Sequence, residues 1–329
     1  MTFQILSLSG GGFLGLYTVS VLAAIEETIG GPIADRFDLI AGTSVGGIIG
    51  LGIAARVPAA KIRDAFIKEG PTIFSPLPPP QSWLWKKMAL KANATKAKYP
   101  SANLRATIEK LVGKRKTIGD LQHRVIIPAI NLTKGGPQVF KTDHHPTFVR
   151  DWKLLVADVA LATSAAPTFF PLHKIGNELF ADGGLYANSP DELALHEALH
   201  FLNQPIEQVR MLSIGTTTSK FSFSNSGTTN LGWMGWMDNQ RLPRVMISAQ
   251  QLNADHILGH RLGPRYLRID HDQSPEQEQS LALDVASPGA ICDLGALAES
   301  SVRAHLGRPI LPDMLKHQAA TPTFHSRKA

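Results

Sequence analysis

The sequence has little cysteine and no long apolar segment. Cys292 is the one cysteine among 329 residues, so an internal disulfide framework and a metal site built from several cysteines are both excluded. The absence of an uninterrupted run of about 18 apolar residues argues against a simple membrane-spanning segment. The first residues also lack the charged region and the long apolar region of a signal peptide. We therefore expect a cytoplasmic protein.

Acidic residues are scarce in one part of the chain. The whole sequence has 33 Lys and Arg against 27 Asp and Glu, which gives a net charge of +6. Between Ser75 and Lys116, however, ten cations stand against one acid, Glu109. Such a segment attracts phosphate groups on a membrane surface, a nucleotide or a nucleic acid. A solvated helical face is the simpler alternative.

The first 55 residues follow the pattern of an α/β fold. Residues 3–8 are β-rich, a glycine turn follows at 10–12, and apolar residues then recur at helical spacing. Residues 37–41, 42–47 and 48–55 repeat the order of strand, turn and helix. Two such units predict the start of an α/β sheet.

The rest of the chain continues this pattern and then changes character. Further strands are predicted at 125–130, 138–141, 179–181 and 209–214. Helices are predicted at 58–70, 154–162, 191–202 and 290–305, with another ending near 260 and a short strand at 266–269. The sheet is expected to end at 214, because residues 216–232 are rich in Ser, Thr and Gly. We divide the chain into a domain at 1–215, with a proline-flanked basic insertion at about 71–116, and an extension at 216–329 packed on it.

Residues 42–46 read Gly-Thr-Ser-Val-Gly, a G-x-S-x-G pattern between a predicted strand and a predicted helix. This context is typical of the sharp turn that presents a serine hydroxyl at the top of a sheet. The following helix N-terminus stabilises negative charge near Ser44. The alternative is a tight turn in which Ser44 only caps the helix.

Gly10, Gly12 and Gly15 form a G-x-G-x-x-G pattern, which is also the fingerprint of a dinucleotide-binding fold. That fold needs an acid at the end of the next strand, but Asp38 lies at the start of this strand and the serine turn occupies its end. A glycine loop can instead offer backbone N–H groups as an oxyanion hole beside Ser44. We prefer this second interpretation.

His196, Glu197 and His200 form an H-E-x-x-H pattern on a predicted helix, which is the spacing of a zinc peptidase. The candidate third ligand, Glu207, lies in a short polar connection before a buried strand. Two histidines on a solvated helix face are the other interpretation. A zinc metallopeptidase therefore stays open as an alternative function.

A nucleophilic serine needs a base. The chain has twelve histidines as candidates. None of His144, His145 and His173 has a sequence context that places it beside Ser44. Asp182 ends a short apolar strand and precedes two glycines, which let a ligand approach the backbone. A Ser–Asp dyad is therefore possible, with the aspartate as general base. The alternative is an aspartate in a simple Asp-Gly-Gly turn.

Four segments occur in the order typical of patatin-like phospholipases. They are the glycine loop at 9–12, the elbow at 42–47, the Ala-Leu-Ala-Thr-Ser-Ala-Ala-Pro stretch at 160–167 and Asp-Gly-Gly at 182–184. The chain from residue 3 to about 215 resembles this family. The resemblance implies a three-layer α/β/α sandwich with a central, mostly parallel sheet and a mainly helical C-terminal extension.

The same resemblance implies roles for individual residues. Ser44 and Asp182 would form the catalytic dyad, with no cofactor or metal needed for catalysis. Oxyanion-hole amides are implied at Gly10, Gly11, Gly12 and Val45, and turn glycines at Gly42, Gly46, Gly183 and Gly184. Leu14 departs from the family, in which arginine commonly follows the glycine loop, and Ser9 replaces the aspartate of many patatins.

The chain is most similar to one branch, the cyclic-dinucleotide-activated phospholipase effectors of bacterial anti-phage CBASS operons. The stretches that carry this similarity are 6–13, 33–40, 140–145 and 182–188. The resemblance implies activation by a cyclic dinucleotide such as 3′,3′-cGAMP and hydrolysis of membrane phospholipids. It further implies peripheral association with the cytoplasmic face of the inner membrane, and homo-oligomerisation is possible. Nucleic acid is not an expected partner.

Two places offer both aromatic rings for bases and cations for phosphates. The candidate nucleotide-binding residues are Trp83, Trp85, Lys86 and Lys87 in the insertion, and Arg241 and Arg244 in the extension. Docking on anionic lipid, or burial of the aromatic rings in a core, is the alternative at both places. A non-catalytic patatin-like binding protein is the remaining functional alternative.

Overall fold

The computed structural model describes residues 2–75, 96–217, 229–232, 235–236 and 241–326. The predicted nucleotide-binding residues Trp83, Trp85, Lys86 and Lys87 lie outside the described residues. The centre of the fold is one mixed sheet of eight strands. The strands are β1 (Phe3–Leu8), β2 (Leu39–Gly42), β3 (Arg124–Asn131), β4 (Gly136–Lys141), β5 (His173–Ile175), β6 (Glu178–Asp182), β7 (Val209–Ile214) and β8 (Tyr266–Ile269).

The strand order is β5-β6-β3-β2-β1-β7-β8, and β4 pairs with β3 beside this path. Strand β1 pairs in parallel with β2 and β7, and the pairs β2–β3 and β7–β8 are also parallel. Strands β4 and β6 run antiparallel to β3, and β5 runs antiparallel to β6. The carboxyl ends of β1, β2 and β7 therefore meet at one edge of the sheet, where ligands bind in open α/β folds.

Eleven α-helices lie within the described residues. They are α1 (Gly15–Ile29), α2 (Val45–Ala54), α3 (Ala59–Ile73), α4 (Ala102–Val112), α5 (Val156–Thr163), α6 (Gly184–Ala187), α7 (Asp191–His196), α8 (Arg241–Leu262), α9 (Pro275–Ser280), α10 (Pro288–Leu306) and α11 (Ile310–Met314). One turn of π-helix, Glu197–Phe201, continues α7.

Alternate residues of the strands pack into two different apolar cores, as the two-residue period of a β-strand requires. On β1, Leu6 and Leu8 face the larger core, which contains α1, α2, α5 and α10. Phe3 and Ile5 face the smaller core, which contains α7 and the end of α8. Helices thus cover both faces of the sheet. This arrangement is the three-layer α/β/α sandwich that the sequence predicts.

One helical segment, Gly12–Ile29, is long and apolar enough to cross a membrane by length and composition. Most of this segment is buried, and α1 packs against α3 and α10. Burial between helices accounts for its apolar character.

Three sequence predictions about the elements are wrong in detail. The sheet does not end at Ile214, because β8 from the extension pairs with β7 in parallel. Helix α2 begins at Val45 rather than at residue 48, directly after Ser44. Helix α3 continues through Pro71 to Ile73 rather than ending near residue 70. Pro71 has no N–H to donate, so the last turn of α3 has one backbone hydrogen bond fewer.

Candidate active site

Ser44 lies in a strained turn between β2 and α2. Its φ angle is +53°, in the left-handed region that non-glycine residues rarely adopt. The turn also needs glycine on both sides. A Cβ atom on Gly42 would lie 2.3 Å from the carbonyl oxygen of Gly46, and a Cβ on Gly46 would lie 2.3 Å from the carbonyl oxygen of Leu8. Backbone strain of this kind is typical of functional sites.

The Ser44 hydroxyl contacts Asp182, 138 residues further along the chain. Ser44 Oγ donates a hydrogen bond to Asp182 Oδ2 at 2.7 Å. Asp182 is the last residue of β6, and its other carboxylate oxygen, Oδ1, accepts the backbone N–H of Gly184 at 2.7 Å. Gly183 allows this turn, since a Cβ there would lie 2.3 Å from the carbonyl oxygen of Pro128. The structure therefore brings together the two residues predicted as a dyad.

Burial changes the acidity of this carboxylate. Asp182 is only 5% exposed, and this desolvation raises its pKa from 3.8 to about 6, although hydrogen bonds from Ser44 and Gly184 act in the opposite direction. A carboxylate with this pKa is ionised at neutral pH yet is more basic than an ordinary aspartate. It has the properties of a general base.

Thr163 holds the backbone of the serine turn, a role that the sequence analysis did not assign. The N–H of Ser44 donates to Thr163 Oγ1 at 2.9 Å, and this hydroxyl in turn donates to the carbonyl of Pro128 at 2.6 Å. The carbonyl of Thr163 accepts the N–H of Gly183. One residue at the end of α5 thus links the serine turn to the aspartate turn. The sequence feature that could have indicated this role is the position of Thr163 in the 160–167 motif.

The glycine loop after β1 lies beside Ser44. The N–H of Gly10 donates to the carbonyl of Asn188 at 2.9 Å, so the prediction that Gly10 supplies a free oxyanion-hole amide is wrong. Within the described part of the chain, no acceptor contacts the amides of Gly11, Gly12 or Val45. These three residues line the same cavity as Ser44. They are the available donors for a developing oxyanion.

The cavity in front of Ser44 is large and apolar. Its volume is about 600 Å³, within the range of small-molecule pockets. Ser44, Asp182 and Gly11 are among the residues that line it. Helices α3, α4 and α8, together with residues 166–170, contribute most of the remaining wall. The apolar side chains in this wall include Phe66, Ile73, Phe74, Leu104, Ile108, Leu111, Phe170, Leu242, Met246 and Ile247.

Comparison with known proteins shows which family this chain belongs to. The family model described as patatin-like phospholipase matches residues 6–195. The chain belongs to this family. The matched range includes the glycine loop, the serine turn, Thr163 and Asp182.

Three curated relatives of this patatin-like chain carry the name cGAMP-activated phospholipase. A protein from Pseudomonas aeruginosa strain BWHPSA011 / Pa011 is 41% identical over 327 residues, which cover 98% of this chain and 95% of the relative. A Vibrio cholerae serotype O1 protein is 37% identical over 314 residues, or 89% of this chain and 88% of the relative. An Escherichia coli strain TW11681 protein is 37% identical over 315 residues, or 89% and 86%.

The H-E-x-x-H pattern of this patatin-like chain does not assemble as in a zinc peptidase. The carboxylate of Glu197 is buried, and it accepts hydrogen bonds from Lys141 Nζ at 2.5 Å and His144 Nε2 at 3.0 Å. The rings of His196 and His200 stack with centroids 5.2 Å apart. Over the described ranges, no three His, Cys, Asp or Glu side chains gather as a metal site. Glu197 is therefore engaged and not free to act as a general base. Among the described residues, no third ligand joins His196 and His200.

His144 is likewise engaged away from Ser44. Its Nδ1 contacts Thr142 Oγ1 at 2.8 Å, and its Nε2 contacts Glu197. Burial lowers its pKa, against the opposing effect of Glu197. His173 contacts Asp158 at 3.1 Å. Neither histidine serves as the partner of the serine.

The two candidate arginines of the extension have protein partners. Arg241 Nη1 donates to the carbonyl of Gly235 at 2.9 Å, and Arg244 Nη2 pairs with Glu278 at 2.9 Å. Both lie at the start of α8, where Leu242 and Met246 line the cavity. Their role in nucleotide binding stays a prediction.

Proposed function

We propose that this protein is a phospholipase that cleaves acyl esters with a Ser44–Asp182 dyad and that a cyclic dinucleotide switches it on. The observation that carries the chemistry is the 2.7 Å hydrogen bond from Ser44 Oγ to Asp182 Oδ2 at the wall of a large apolar cavity. The relatives named cGAMP-activated phospholipase support the substrate class and the activator.

In the acylation step, Asp182 takes the hydroxyl proton of Ser44 while Ser44 Oγ bonds to the carbonyl carbon of the ester. The carbonyl oxygen becomes an oxyanion, which the amides of Gly11, Gly12 and Val45 stabilise. Each such donor contributes about 3 kcal/mol to transition-state stability. The C–O bond to the leaving alcohol then breaks, and Asp182 returns the proton to that oxygen. The products of this step are an acyl-serine and a free lysophospholipid.

In the deacylation step, a water molecule attacks the acyl-serine. Asp182 takes a proton from the water, and the water oxygen bonds to the acyl carbon. The same amides stabilise the second oxyanion. The bond to Ser44 Oγ breaks, and Ser44 recovers its proton from Asp182. The released product is a fatty acid. Asp182 takes up one proton in each step and gives it back in the same step, so it is again ionised at the end of the cycle.

The cavity supports a lipid substrate. Its walls are mostly apolar, and Ser44, Asp182 and the glycine loop are among the residues that line it. An acyl chain lying in this cavity would place its ester beside the serine and leave the headgroup outside. We propose membrane phospholipids as the substrate, and we propose that the protein reaches them peripherally from the cytoplasmic face of the inner membrane. Their hydrolysis would damage the membrane of an infected cell, as anti-phage defence requires.

The test is fatty-acid release from fluorogenic phospholipid vesicles by the purified full chain, with and without 3′,3′-cGAMP. We expect release that depends on the nucleotide and is absent from Ser44→Ala. Equal release without the nucleotide would support the phospholipase activity and exclude 3′,3′-cGAMP as its activator. No release under either condition would favour a non-catalytic patatin-like binding protein. Charge reversal at Lys86 and Lys87, and separately at Arg241 and Arg244, would locate the nucleotide site.

A further inference from the structure

A row of polar side chains crosses the sheet next to the glycine loop. Ser7 on β1 pairs with Ser213 on β7, and Ser213 pairs with Arg268 on β8. Ser7 and Ser213 are fully buried, and the Arg268 side chain is 14% exposed. Buried polar groups of this kind persist only when they are hydrogen-bonded.

Arg268 uses its guanidinium to join several segments. Nη1 donates to Ser213 Oγ at 2.7 Å and to the hydroxyls of Ser9 and Ser189 at 3.1 Å each. Nη2 donates to Asp270 Oδ2 at 2.7 Å. Ser9 is the residue immediately before Gly10. One arginine therefore contacts the start of the glycine loop from the C-terminal part of the chain.

Two carboxylates compensate the charge of this buried arginine. Asp270 pairs with it directly, and Asp191 Oδ2 lies 4.0 Å from Nη1. Asp191 also accepts hydrogen bonds from Ser7 and Ser213. Burial lowers the pKa of Arg268, but Asp270 and Asp191 outweigh it and raise the pKa above its ordinary value. The guanidinium is therefore permanently charged and fixed in position.

The partners of Arg268 also hold Gly10. Ser189 follows Asn188, whose carbonyl accepts the Gly10 N–H. Asp270 Oδ1 accepts the N–H of Thr217 at 3.0 Å, and the preceding residue, Thr216, donates its hydroxyl to the Gly10 carbonyl at 3.0 Å. The loop therefore depends on the arginine both through Ser9 and through the two segments that bind Gly10.

We propose that Arg268 is a positioning residue that fixes the glycine loop so that the amides of Gly11 and Gly12 face the ester carbonyl. The residue lies on β8, outside the range 6–195 that the family model matches. The extension thereby completes the active site. The inference rests on the proposed function, since it concerns the hydrolysis that Ser44 carries out.

The first test compares Arg268→Met with Arg268→Lys in the full chain, using p-nitrophenyl butyrate as substrate. Misplacement of a catalytic group by about 1 Å can cost about 100-fold in rate, so we expect Arg268→Met to lower kcat about 100-fold with KM within threefold. Lysine restores the charge but not the planar fork, so Arg268→Lys should recover only part of kcat.

Arg265→Met is the matched control. Arg265 precedes β8 and donates to the carbonyls of Ile206 and Val209, so its loss should lower Tm and leave kcat within threefold.

The second test uses Ser9→Ala, which removes the direct contact of the arginine with the loop together with the contact between the Ser9 and Ser189 hydroxyls, and leaves Asp191 and Asp270 in place. We expect a lower kcat at an unchanged Tm, and faster amide hydrogen exchange in the peptide 8–14 than in the wild type. A purely structural role would change Tm without raising exchange in that peptide. Unchanged exchange in folded Arg268→Met and Ser9→Ala would overturn the inference. A wild type without esterase activity would refute the proposed function instead, while the exchange measurement would still decide the role of Arg268.

Discussion

The carbonyl oxygen of Leu283 lies directly over Gly12 in the glycine loop. It accepts the N–H of Phe13 at 2.7 Å, and a Cβ atom on Gly12 would lie 2.2 Å from it. The next residue, Asp284, accepts hydrogen bonds from Lys98 Nζ at 2.5 Å and Tyr99 Oη at 2.8 Å. A segment of the extension therefore fits closely against the loop and is held there by Lys98 and Tyr99 of the basic insertion.

Gly12→Ala should impair hydrolysis through this contact. The added methyl group meets a backbone carbonyl, and the φ angle of +56° is itself unfavourable for alanine by about 1–2 kcal/mol. We expect kcat to fall at least about 10-fold, because the loop must shift. Gly30→Ala is the matched control, since Gly30 has a similar φ of +65° with nothing within 4 Å. The control should lose stability in thermal unfolding but retain kcat; an equal loss of kcat in both variants would refute the argument.

Asp182→Asn should abolish hydrolysis and stabilise the fold. The raised pKa, from 3.8 to about 6, means that the buried carboxylate destabilises the folded state once it is ionised. At 1.36 kcal/mol per pKa unit, the gain from its removal is about 3 kcal/mol at neutral pH. Well below pH 3.8 the carboxyl is protonated in both the folded and unfolded states, so the difference between the two proteins should vanish. Urea unfolding of both proteins at about pH 3 and at about pH 7.5 measures this; a variant less stable at the higher pH would contradict it.

The rate of hydrolysis should follow the ionisation of Asp182. A general base must be deprotonated, so kcat/KM should rise about tenfold per pH unit below pH 6 and level off above it. A soluble ester is the suitable substrate, because vesicle surfaces also change with pH. A midpoint near pH 4 would indicate an ordinary exposed carboxylate, and a midpoint that moved with substitution of His144 would indicate a histidine base.

Glu197→Gln should destabilise the protein without removing its chemistry. The substitution leaves the half-buried Lys141 ammonium without its counter-charge, which costs about 3 kcal/mol. His200→Ala, at the exposed end of the same motif, should leave stability nearly unchanged. Both variants should retain ester hydrolysis per folded molecule, with no effect of a zinc chelator. Loss of activity in both variants, or on chelation, would restore the zinc interpretation.

Much of the fold was predictable because its signals are local. The alternating strand at Phe3–Leu8, the glycine turn after it and the serine turn before α2 all depend on residues next to each other in the sequence. Asp182 was also found locally, as a carboxylate between an apolar strand and two glycines. Its contact with Ser44 depends on the sheet order, in which β3 separates β6 from β2, and no spacing in the sequence reveals that order.

The remaining features depend on long-range pairing. The short strand Tyr266–Ile269 was predicted, but its partner, β7, lies more than fifty residues earlier, and the sequence between them has no signal for the pairing. Arg268 appears in the sequence only as one charged residue in a four-residue strand. The amide of Gly10 looked equivalent to those of Gly11 and Gly12, because its acceptor, the carbonyl of Asn188, comes from a distant turn.

The most direct test of the central claim is covalent labelling of the purified protein with a long-chain alkyl fluorophosphonate, followed by peptide mapping by mass spectrometry. A reactive serine attacks phosphorus and expels fluoride, which leaves a stable adduct. The account predicts one adduct, on Ser44, stimulated by 3′,3′-cGAMP, absent from Ser44→Ala and strongly slowed in Asp182→Asn. An adduct on another residue, or undiminished labelling of Ser44→Ala, would contradict it.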